Sequence, residues 1–312
     1  MKFEVVNKLA KAKRPFLFIS DFLAKNIKVI PLDELDKHDI EFCIDAEYSY
    51  KKHNHFFTPK PIAFSKYKKQ FDSIIEQIKS GNTYLLNLTA ASKIKTDLTL
   101  KEIYTYANAH YKLRYQDEFV CFSPEKFVQI SGRKIHTYPM KGTIDASITD
   151  AKSKILNNQK EMAEHTMVVD LLRNDLSMVA TGVKVDRFRY TQVIDSGQKK
   201  LLQVSSHISG DVGDDWHQRL GDILKLLLPA GSISGAPKKS TLEIINKTES
   251  YNREFFSGVF GVFDGKNFDS GVMIRFVQKI KDGYIYKSGG GITIDSDAKS
   301  EYEELLDKVY LP

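Results

Sequence analysis

The sequence predicts an α+β fold in which antiparallel β-sheets are flanked by helices. Short β-rich runs follow one another in hairpin-like series, instead of alternating one by one with helices. Tight-turn signals separate such runs at Asp264-Gly265 and Asp282-Gly283. No internal repeat, low-complexity tract or linker divides the 312 residues, and 42% of them are hydrophobic, which is enough for a large core. We therefore expect a single large domain over residues 1–312.

The first sixty residues are expected to form a short β-rich portion of this domain. Its strand-like runs are residues 16–19, 28–30 and 40–44. A helix should follow, because apolar side chains recur there with the helical period, at Phe64, Tyr67, Phe71, Ile74, Ile75 and Ile78. Ser65 is the candidate cap of this helix and Gly81 its stop.

The rest of the chain carries further strands and helices. Strand-like runs cover residues 83–90, 119–122, 127–130, 134–138, 183–195, 200–210 and parts of 255–294. Helical patterns cover about 98–111, 159–175, 215–228, a segment ending near 249, and a last helix that begins after Asp297. Lys141 is thereby expected just past the end of a strand.

The charge distribution argues against nucleic-acid binding. A net charge of +6 and a pI near 8.9 would suit nucleic acid, a membrane surface or a small anionic substrate. The densest basic clusters, residues 11–14 and 66–69, are short, and acidic residues interleave nearly everywhere. No basic stripe with interleaved aromatic residues is present, so we expect no nucleic-acid partner.

Cysteine usage and the N-terminus indicate the compartment. Cys43 and Cys121 lie in strand-like apolar runs and resemble small core residues of a reducing compartment. The sequence from Met1 to Glu4 lacks the apolar region of a signal peptide, and no apolar run approaches the roughly 20 residues that span a bilayer. We expect a soluble, cytoplasmic protein with no membrane partner.

Two acidic pairs have helical spacing. Glu161 and Glu164 are three positions apart, and Glu301, Glu304 and Lys308 follow one another at three and four positions. On a helix each set shares one face. Two such helices supply the oxygen ligands that Mg²⁺ prefers, whereas either pair alone is also typical of a solvated helix face.

Two glycine-rich segments are candidates for anion binding. Residues 231–238 precede a helix, with Pro237 suited to its first turn, and free backbone N–H groups there can bind a carboxylate or phosphate. The segment does not match the phosphate loop of ATP-binding proteins. The backbone amides of Gly289-Gly290-Gly291 can likewise approach an anion. The same sequence is equally compatible with a plain bulge or turn.

Two single residues are candidates for catalysis. Lys141, in His136-Thr137-Tyr138-Pro139-Met140-Lys141-Gly142, can act as a nucleophile only as a free amine, and most lysines are surface residues. Glu125, at a strand junction sixteen positions earlier, is a candidate general acid or base, with the same reservation.

Taken in order, these segments resemble the chorismate-utilising enzymes. The matching segments are Ser123-Pro124-Glu125, Pro139-Met140-Lys141-Gly142-Thr143, residues 160–175, residues 229–238, Ile274-Arg275, residues 289–292 and residues 295–308. The resemblance covers about 123–308 and implies one chorismate-binding domain of the anthranilate synthase component I fold. Two antiparallel sheets would pack as its core with helices outside, and residues 61–312 would form the catalytic region.

The residue before Gly142-Thr143 separates branches of this family. Anthranilate, isochorismate and salicylate synthases typically carry alanine there, whereas aminodeoxychorismate synthase component I typically carries lysine. Lys141 and its distance from Glu125 resemble the latter. The resemblance implies amination of chorismate at C4 to 4-amino-4-deoxychorismate, a step toward para-aminobenzoate and folate.

The resemblance also implies the roles of individual residues. Mg²⁺ would be the cofactor, and its carboxylate ligands would be Glu161, Glu164, Glu301 and Glu304. Lys141 would attack C2 of chorismate, and Glu125 would be the general acid for the departing 4-hydroxyl. Chorismate would be bound by Arg275, Lys308, the amides of Gly289 and Gly291, Thr143, Ser234 and Gln203. Ammonia would come from a separate glutamine amidotransferase subunit.

Two positions depart from the family pattern, and two other functions stay open. Gln203 stands where many members have histidine, and Phe256 where many have tyrosine. Anthranilate synthase component I is the nearest alternative, although the amine of Lys141 would occupy the position from which ammonia must attack C2. The alternative from a different class is a basic, non-catalytic binding protein on the same fold.

Overall fold

The computed structural model describes residues 2–45, 53–195 and 200–311, and every structural statement refers to these residues. The strands are β1 (Phe16–Ser20), β2 (Ile27–Pro31), β3 (Ile40–Ile44), β4 (Phe57–Lys60), β5 (Leu85–Thr96), β6 (Tyr111–Tyr115), β7 (Phe119–Ser123), β8 (Lys126–Ser131), β9 (Lys134–Thr137), β10 (Met140–Asp145), β11 (Thr181–Asp195), β12 (Lys200–Asp211), β13 (Gly235–Ala236), β14 (Val259–Phe263), β15 (Phe268–Val272), β16 (Phe276–Ile280) and β17 (Gly283–Ile292). The helices are α1 (Lys2–Lys11), α2 (Phe64–Lys79), α3 (Leu100–Tyr106), α4 (Ala151–Asn157), α5 (Gln159–Ser177), α6 (Leu220–Leu227), α7 (Gly231–Ser234), α8 (Lys238–Thr248) and α9 (Ala298–Asp307). The predicted α+β class with two antiparallel sheets is confirmed.

Two compact units make up the described chain, and each draws on three separate stretches of sequence. The first unit contains residues 1–16, 126–227 and 262–270. The second contains residues 17–125, 228–261 and 271–312. The single chorismate-binding domain expected over residues 1–312 stays a prediction.

In the first unit an antiparallel sheet has the strand order β10-β12-β9-β8-β15, and β11 also pairs with β12. Helix α5 packs against β10, β11 and β12. The β10–β12 register passes from Met140 opposite Ser205 to Thr143 opposite Gln203, so β10 has one extra residue between these pairs. This β-bulge contains Lys141.

In the second unit a sheet has the strand order β13-β5-β17-β16-β7-β6-β3, with β4 beside β5, and β14, β1 and β2 are neighbours in that order. Helix α9 packs against β17 and α2. A hydrophobic cluster under α3 and the C-terminal residues includes Ile103, Phe122 and Tyr286. Strands β5 and β17 run side by side over nine residue pairs, which places the Gly289–Gly291 segment inside the sheet.

The three strands expected in the first sixty residues are present as β1, β2 and β3, but residues 2–11 form the helix α1, which was not expected. Met1 and residues 46–52 of that portion lie outside the described residues. Val6 and Ala10 bury one face of α1, and this helix packs against α6, where Asn7 Oδ1 accepts a hydrogen bond from the Gly221 N–H at 2.6 Å. The apolar face is narrow among the lysines of this segment, which concealed it in the sequence.

Two corrections concern helix ends. Helix α2 is preceded by Ala63 and has no side-chain cap, so Ser65 is not its cap. The helix expected over 98–111 stops at Tyr106, and β6 begins at Tyr111. Its start is fixed by Thr99, which forms a capping box with Glu102.

Among the helices that the structure describes, none is long and apolar enough to cross a bilayer.

Candidate active site

Lys141 lies just past the end of β9, as expected, and is itself part of the next strand, β10. It occupies the bulge between the Met140 and Thr143 pairs with β12, and the next residue, Gly142, has φ +90°. Such a φ is rarely adopted by residues with a side chain. A bulge bends its strand and redirects the side chain it carries, so the Lys141 side chain does not follow the regular alternation of the sheet.

The amine of Lys141 is held by a glutamate of α5. Lys141 Nζ lies 2.7 Å from Glu164 Oε2, and the side chains are 26% and 10% exposed. Lys160 Nζ lies 3.9 Å from the other carboxylate oxygen of Glu164 and is about half exposed. The short distance and the burial make the Lys141 contact a charge-assisted hydrogen bond in a partly desolvated place.

Glu161 lies one helical turn before Glu164 and approaches the same bulge. Asn158 caps α5 by accepting a hydrogen bond from the Glu161 N–H at 3.0 Å, which fixes the start of the helix. A Cβ atom added to Gly142 would lie 2.9 Å from Glu161 Oε2. The structure therefore brings Glu161, Glu164 and Lys141 together around the backbone of Gly142.

Gln203 and Thr143 face each other across β10 and β12. The two residues are paired in the register, and Thr143 is exposed. Gln203 Nε2 donates to the carbonyl oxygen of Gly142 at 3.5 Å. Gln203 thus contacts the bulge itself.

His165 is a residue whose role at the site the sequence did not predict. It is fully buried, and its Nε2 lies 2.7 Å from Ser206 Oγ. Its Nδ1 lies 3.4 Å from the carbonyl oxygen of Lys141. Burial lowers the pKa of His165 to about 4, while the bond to the Lys141 carbonyl acts in the opposite direction. Its position directly after Glu164 was the available signal.

In the second unit, Glu301, Glu304 and Lys308 lie on or at the end of α9. Glu301 is buried, and its Oε1 accepts a hydrogen bond from Ser296 Oγ at 2.8 Å. Lys308 Nζ lies 2.7 Å from Glu304 Oε1 and donates to the carbonyl oxygen of Gly289 at 2.8 Å. The spacing that placed these side chains on one face is reproduced by the structure.

The glycines of β17 leave room beside these side chains. A Cβ atom on Gly290 would lie 3.5 Å from Glu301 Oε2, 3.7 Å from Lys308 Nζ and 3.8 Å from Glu304 Oε1. A Cβ atom on Gly289 would lie only 2.4 Å from the Leu88 carbonyl oxygen, so close strand packing requires glycine there. Gly291 pairs with Asn87 of β5.

Glu125 follows β7, and it is half-buried. Ser232 Oγ donates to Glu125 Oε1 at 2.6 Å. Burial raises the pKa of Glu125, whereas the bond from Ser232 and the charges of Arg275 and Lys308 lower it, and the upward effect prevails. A carboxyl group that holds its proton to a higher pH is suited to act as a general acid.

Arg275 and Ser234 are also in the second unit. Arg275 has φ +52°, and its Nε is buried without a hydrogen-bond partner among the described residues. A buried cation with an unsatisfied donor is suited to bind a carboxylate. Ser234 is buried in α7, and its hydroxyl group donates to the Ala230 carbonyl at 2.8 Å.

The two acidic pairs are suited to a hard cation. Within the described residues there is no cluster of three or more His, Cys, Asp or Glu side chains in metal-binding arrangement. Each unit nevertheless presents carboxylate oxygens close to a glycine backbone: Glu161 approaches Gly142, and Glu301 and Glu304 approach Gly290. Carboxylate oxygens are the ligands that Mg²⁺ prefers, so both pairs fit this ion chemically.

Comparisons with known proteins agree on one family. The sequence profile of the chorismate binding enzymes matches residues 36–311. A Haemophilus influenzae protein, described as an uncharacterized PabA-like protein, is 46% identical over 99% of this chain and 95% of its own length. Aminodeoxychorismate synthase component 1 of Escherichia coli is 30% identical over 78% of this chain and 56% of its own length. The matched part thus spans little more than half of that protein.

Solved structures agree on the fold. The menaquinone-specific isochorismate synthase of Escherichia coli superposes with a TM-score of 0.71 over 96% of this chain and 78% of its own, at 15% identity. At such low identity the likeness concerns the fold alone.

Proposed function

The chain belongs to the chorismate binding enzyme family, and we propose that it aminates chorismate at C4 to give 4-amino-4-deoxychorismate. Residues 61–312 would carry the catalytic region. Ammonia would be supplied by a separate glutamine amidotransferase subunit. The relative from Escherichia coli that is named aminodeoxychorismate synthase component 1 supports this choice within the family.

The proposal rests on the position of Lys141, in the β10 bulge and beside Glu164. It stands in a segment that resembles the lysine-containing branch of the family, its side chain is three-quarters buried, and its amine lies 2.7 Å from Glu164 Oε2. A surface lysine without a function would extend its charged end into water. A bulge, a glycine at φ +90° and a buried carboxylate instead present this amine at one point.

Lys141 would act as the first nucleophile. Its deprotonated amine attacks C2 of chorismate, the ring double bonds shift, and the C4–oxygen bond breaks, so that the 4-hydroxyl leaves as water with a proton from a general acid. Ammonia then attacks C4, the double bonds shift back, and the C2–nitrogen bond to Lys141 breaks. Two easier displacements thereby replace one difficult one.

Glu125 would be the general acid. Its raised pKa keeps the proton available at a higher pH than for an exposed glutamate. Arg275, with its buried and unpaired Nε, would bind a carboxylate of chorismate, assisted by Lys308 and the backbone at Gly289 and Gly291. Ser234, Thr143 and Gln203 are weaker candidates for substrate contact. Ser234 already donates its hydroxyl proton within α7, and Gln203 binds the bulge.

Mg²⁺ is the proposed cofactor, and Glu161, Glu164, Glu301 and Glu304 would supply its ligands. When bound, the ion would neutralise the ring carboxylate of chorismate and assist departure of the hydroxyl group. The protein's own side chains bind, orient and protonate the substrate.

The deciding experiment combines the purified protein with chorismate, ammonium and Mg²⁺ and separates the products by chromatography. We expect 4-amino-4-deoxychorismate from wild type with ammonium, none with glutamine alone, and none from Lys141→Ala. Without ammonia, mass spectrometry should find a substrate adduct on Lys141. Anthranilate or isochorismate as the main product would overturn the proposal. Full activity of Lys141→Ala would show that Lys141 is not the nucleophile.

A further inference from the structure

We propose that His165 is a positioning residue, which fixes the β10 bulge so that the amine of Lys141 is presented in one orientation. Its catalytic consequence rests on the proposed function, whereas the positioning itself concerns only residues of the first unit. His165 touches no reacting atom, because it acts through the backbone of Lys141.

The bulge creates the need for such a residue. Between Met140 opposite Ser205 and Thr143 opposite Gln203, the extra residue of β10 has no opposite residue in the register. Peptide groups of a bulge fall outside the regular ladder and take other hydrogen-bond partners. His165 Nδ1 lies 3.4 Å from the Lys141 carbonyl oxygen, and Gln203 Nε2 lies 3.5 Å from the Gly142 carbonyl oxygen. Side chains from α5 and β12 therefore hold the two carbonyl groups of the bulge.

The hydrogen-bond directions around His165 define its tautomer. A carbonyl oxygen only accepts, so Nδ1 carries the proton that is donated to Lys141. Ser206 Oγ accepts from the Arg189 N–H at 2.9 Å, and its own proton is directed to His165 Nε2 at 2.7 Å. The series runs from the Arg189 amide through Ser206 and the neutral imidazole to the carbonyl of Lys141.

Arg189, where this series of hydrogen bonds begins, is itself held in place. Arg189 lies in an irregular part of β11, between the Arg187 and Tyr190 pairs, and has φ +47°. Its guanidinium group donates to the carbonyl oxygens of Leu156 at 2.7 Å and Ile155 at 2.9 Å, near the end of α4. The bulge of β10 is thus tied through the buried side chains of His165 and Ser206 to β11, and through the partly buried Arg189 to the end of α4.

Rigid support of this kind matters for a nucleophile. Displacing a reacting group by about 1 Å can reduce a rate by roughly 100-fold, although binding of the substrate is little affected. Lys141 has a long, flexible side chain, so its backbone and its partner Glu164 set the position of the amine. A histidine that served only to fill the core would alter stability and leave the presentation of Lys141 unchanged.

Two substitutions at one position separate these roles. In His165→Asn, the amide nitrogen takes the place of Nδ1 and can still donate to the Lys141 carbonyl. In His165→Gln, the amide group reaches the place of Nε2 and contacts Ser206 instead. We expect His165→Gln to lower kcat by roughly 10-fold to 100-fold with KM nearly unchanged. His165→Asn should retain most of kcat, and urea unfolding should show both variants folded.

Two measurements do not depend on the reaction. Nitrogen NMR of wild type labelled with ¹⁵N-histidine should show the His165 proton on Nδ1, and Ser206→Ala should weaken that preference. Modification by trinitrobenzenesulfonate at one pH, mapped by mass spectrometry, should be faster at Lys141 in His165→Gln than in wild type or His165→Asn, because an amine released from Glu164 is more accessible.

The outcomes separate the two proposals. If wild type makes no C4-aminated product, but the tautomer and the labelling pattern are as expected, the proposed function fails and the positioning role stands. If His165→Gln and His165→Asn show equal kcat and equal labelling of Lys141, His165 is a core histidine only. A proton on Nε2 in wild type would overturn the hydrogen-bond series, and this measurement requires no variant to fold.

Discussion

The Nζ atom of Lys141 and the Oε2 atom of Glu164 lie 2.7 Å apart, on a strand and a helix of the same unit. The pair joins the proposed nucleophile to one of the proposed metal ligands. An ammonium group bound to a carboxylate must lose a proton before it can attack carbon. Glu164 thus holds the amine of the proposed nucleophile in position, and it is the carboxylate placed to accept that proton.

Glu164→Gln should therefore impair the chemical step. The neutral amide can still accept a hydrogen bond from Lys141, but it cannot take up the proton that the ammonium group must lose, so we expect kcat to fall by roughly 100-fold or more. Steady-state amination kinetics with ammonium measure this. Lys160→Gln is the matched control, since Lys160 approaches Glu164 only at 3.9 Å and is half exposed. Equal losses in both variants would contradict a specific role of the Lys141 contact.

Ser232→Ala should shift the pH dependence of the reaction. Ser232 lowers the pKa of Glu125 through the 2.6 Å hydrogen bond, so its removal raises that pKa further. A general acid is active while protonated, and a higher pKa extends its active form to higher pH. The alkaline limb of the kcat profile should therefore move upward in pH. Ser234→Ala is the control, because the Ser234 hydroxyl binds Ala230, and a shift of similar size there would refute the assignment.

Metal dependence should require the proposed ligands Glu161 and Glu304. Glu161→Gln and Glu304→Gln each remove a negative oxygen that Mg²⁺ prefers, so activity after chelation should no longer be restored by Mg²⁺ concentrations that restore wild type. Glu303→Gln is the control, since Glu303 is an exposed neighbour on α9. Titration of activity with Mg²⁺ measures the difference, and an unchanged midpoint in Glu161→Gln or Glu304→Gln would remove that residue from the ligand set.

The periodicity of side chains in the sequence was sufficient to predict the long helices and the residues that share a face on them. Helices α2, α5 and α9 have apolar or acidic side chains at three- and four-residue spacing, and this placed Glu161 with Glu164 and Glu301 with Glu304. The same reasoning failed for α1, where only Val6 and Ala10 are buried. One pair of small apolar residues gives too weak a pattern among lysines.

Strand register was beyond the reach of the sequence. The position of Lys141 depends on one extra residue between Met140 and Thr143, and this is defined only by what lies opposite on β12. The contact of Ser232 with Glu125 joins residues 107 positions apart. Local patterns carry no information on such partners. His165 lies within the helix that was predicted over 159–175, but its two polar partners are set by the strands on which α5 packs.

Gly142→Ala should destabilise the first unit more than a simple turn substitution does. At φ +90° an alanine is strained, and its Cβ would lie 2.9 Å from Glu161 Oε2. We expect the free energy of unfolding to fall by about 1–3 kcal/mol, together with a loss of amination. Gly132→Ala is the control, because Gly132 has φ +57° and no atom within 4 Å of the added carbon. Urea unfolding compares the two, and an equal or larger loss for Gly132→Ala would contradict crowding at the bulge.

Lys287 should make the stability of the protein depend on alkaline pH. It is 1% exposed, its Nζ donates to the Arg253 carbonyl at 2.9 Å, and burial lowers its pKa to about 8, with Glu254 opposing the shift. Below that pH both the folded and the unfolded chain carry the charge, and the folded state bears the full cost of burying it.

As the pH rises from about 8 toward the unfolded pKa of 10.5, the folded protein loses the proton first, and the cost is relieved. Lys287→Met keeps a side chain of similar length without the charge. The free energy of unfolding of wild type should therefore rise, relative to that of Lys287→Met, by on the order of 3 kcal/mol across this range, as the linkage of one proton requires.

Urea unfolding of both proteins at the two ends of the range measures this rise. A difference that stays constant or changes in the opposite direction would show that Lys287 is not buried as a charged group. Tyrosines whose pKa is raised by burial also alter stability at high pH, but they are present in both proteins and cancel in the comparison.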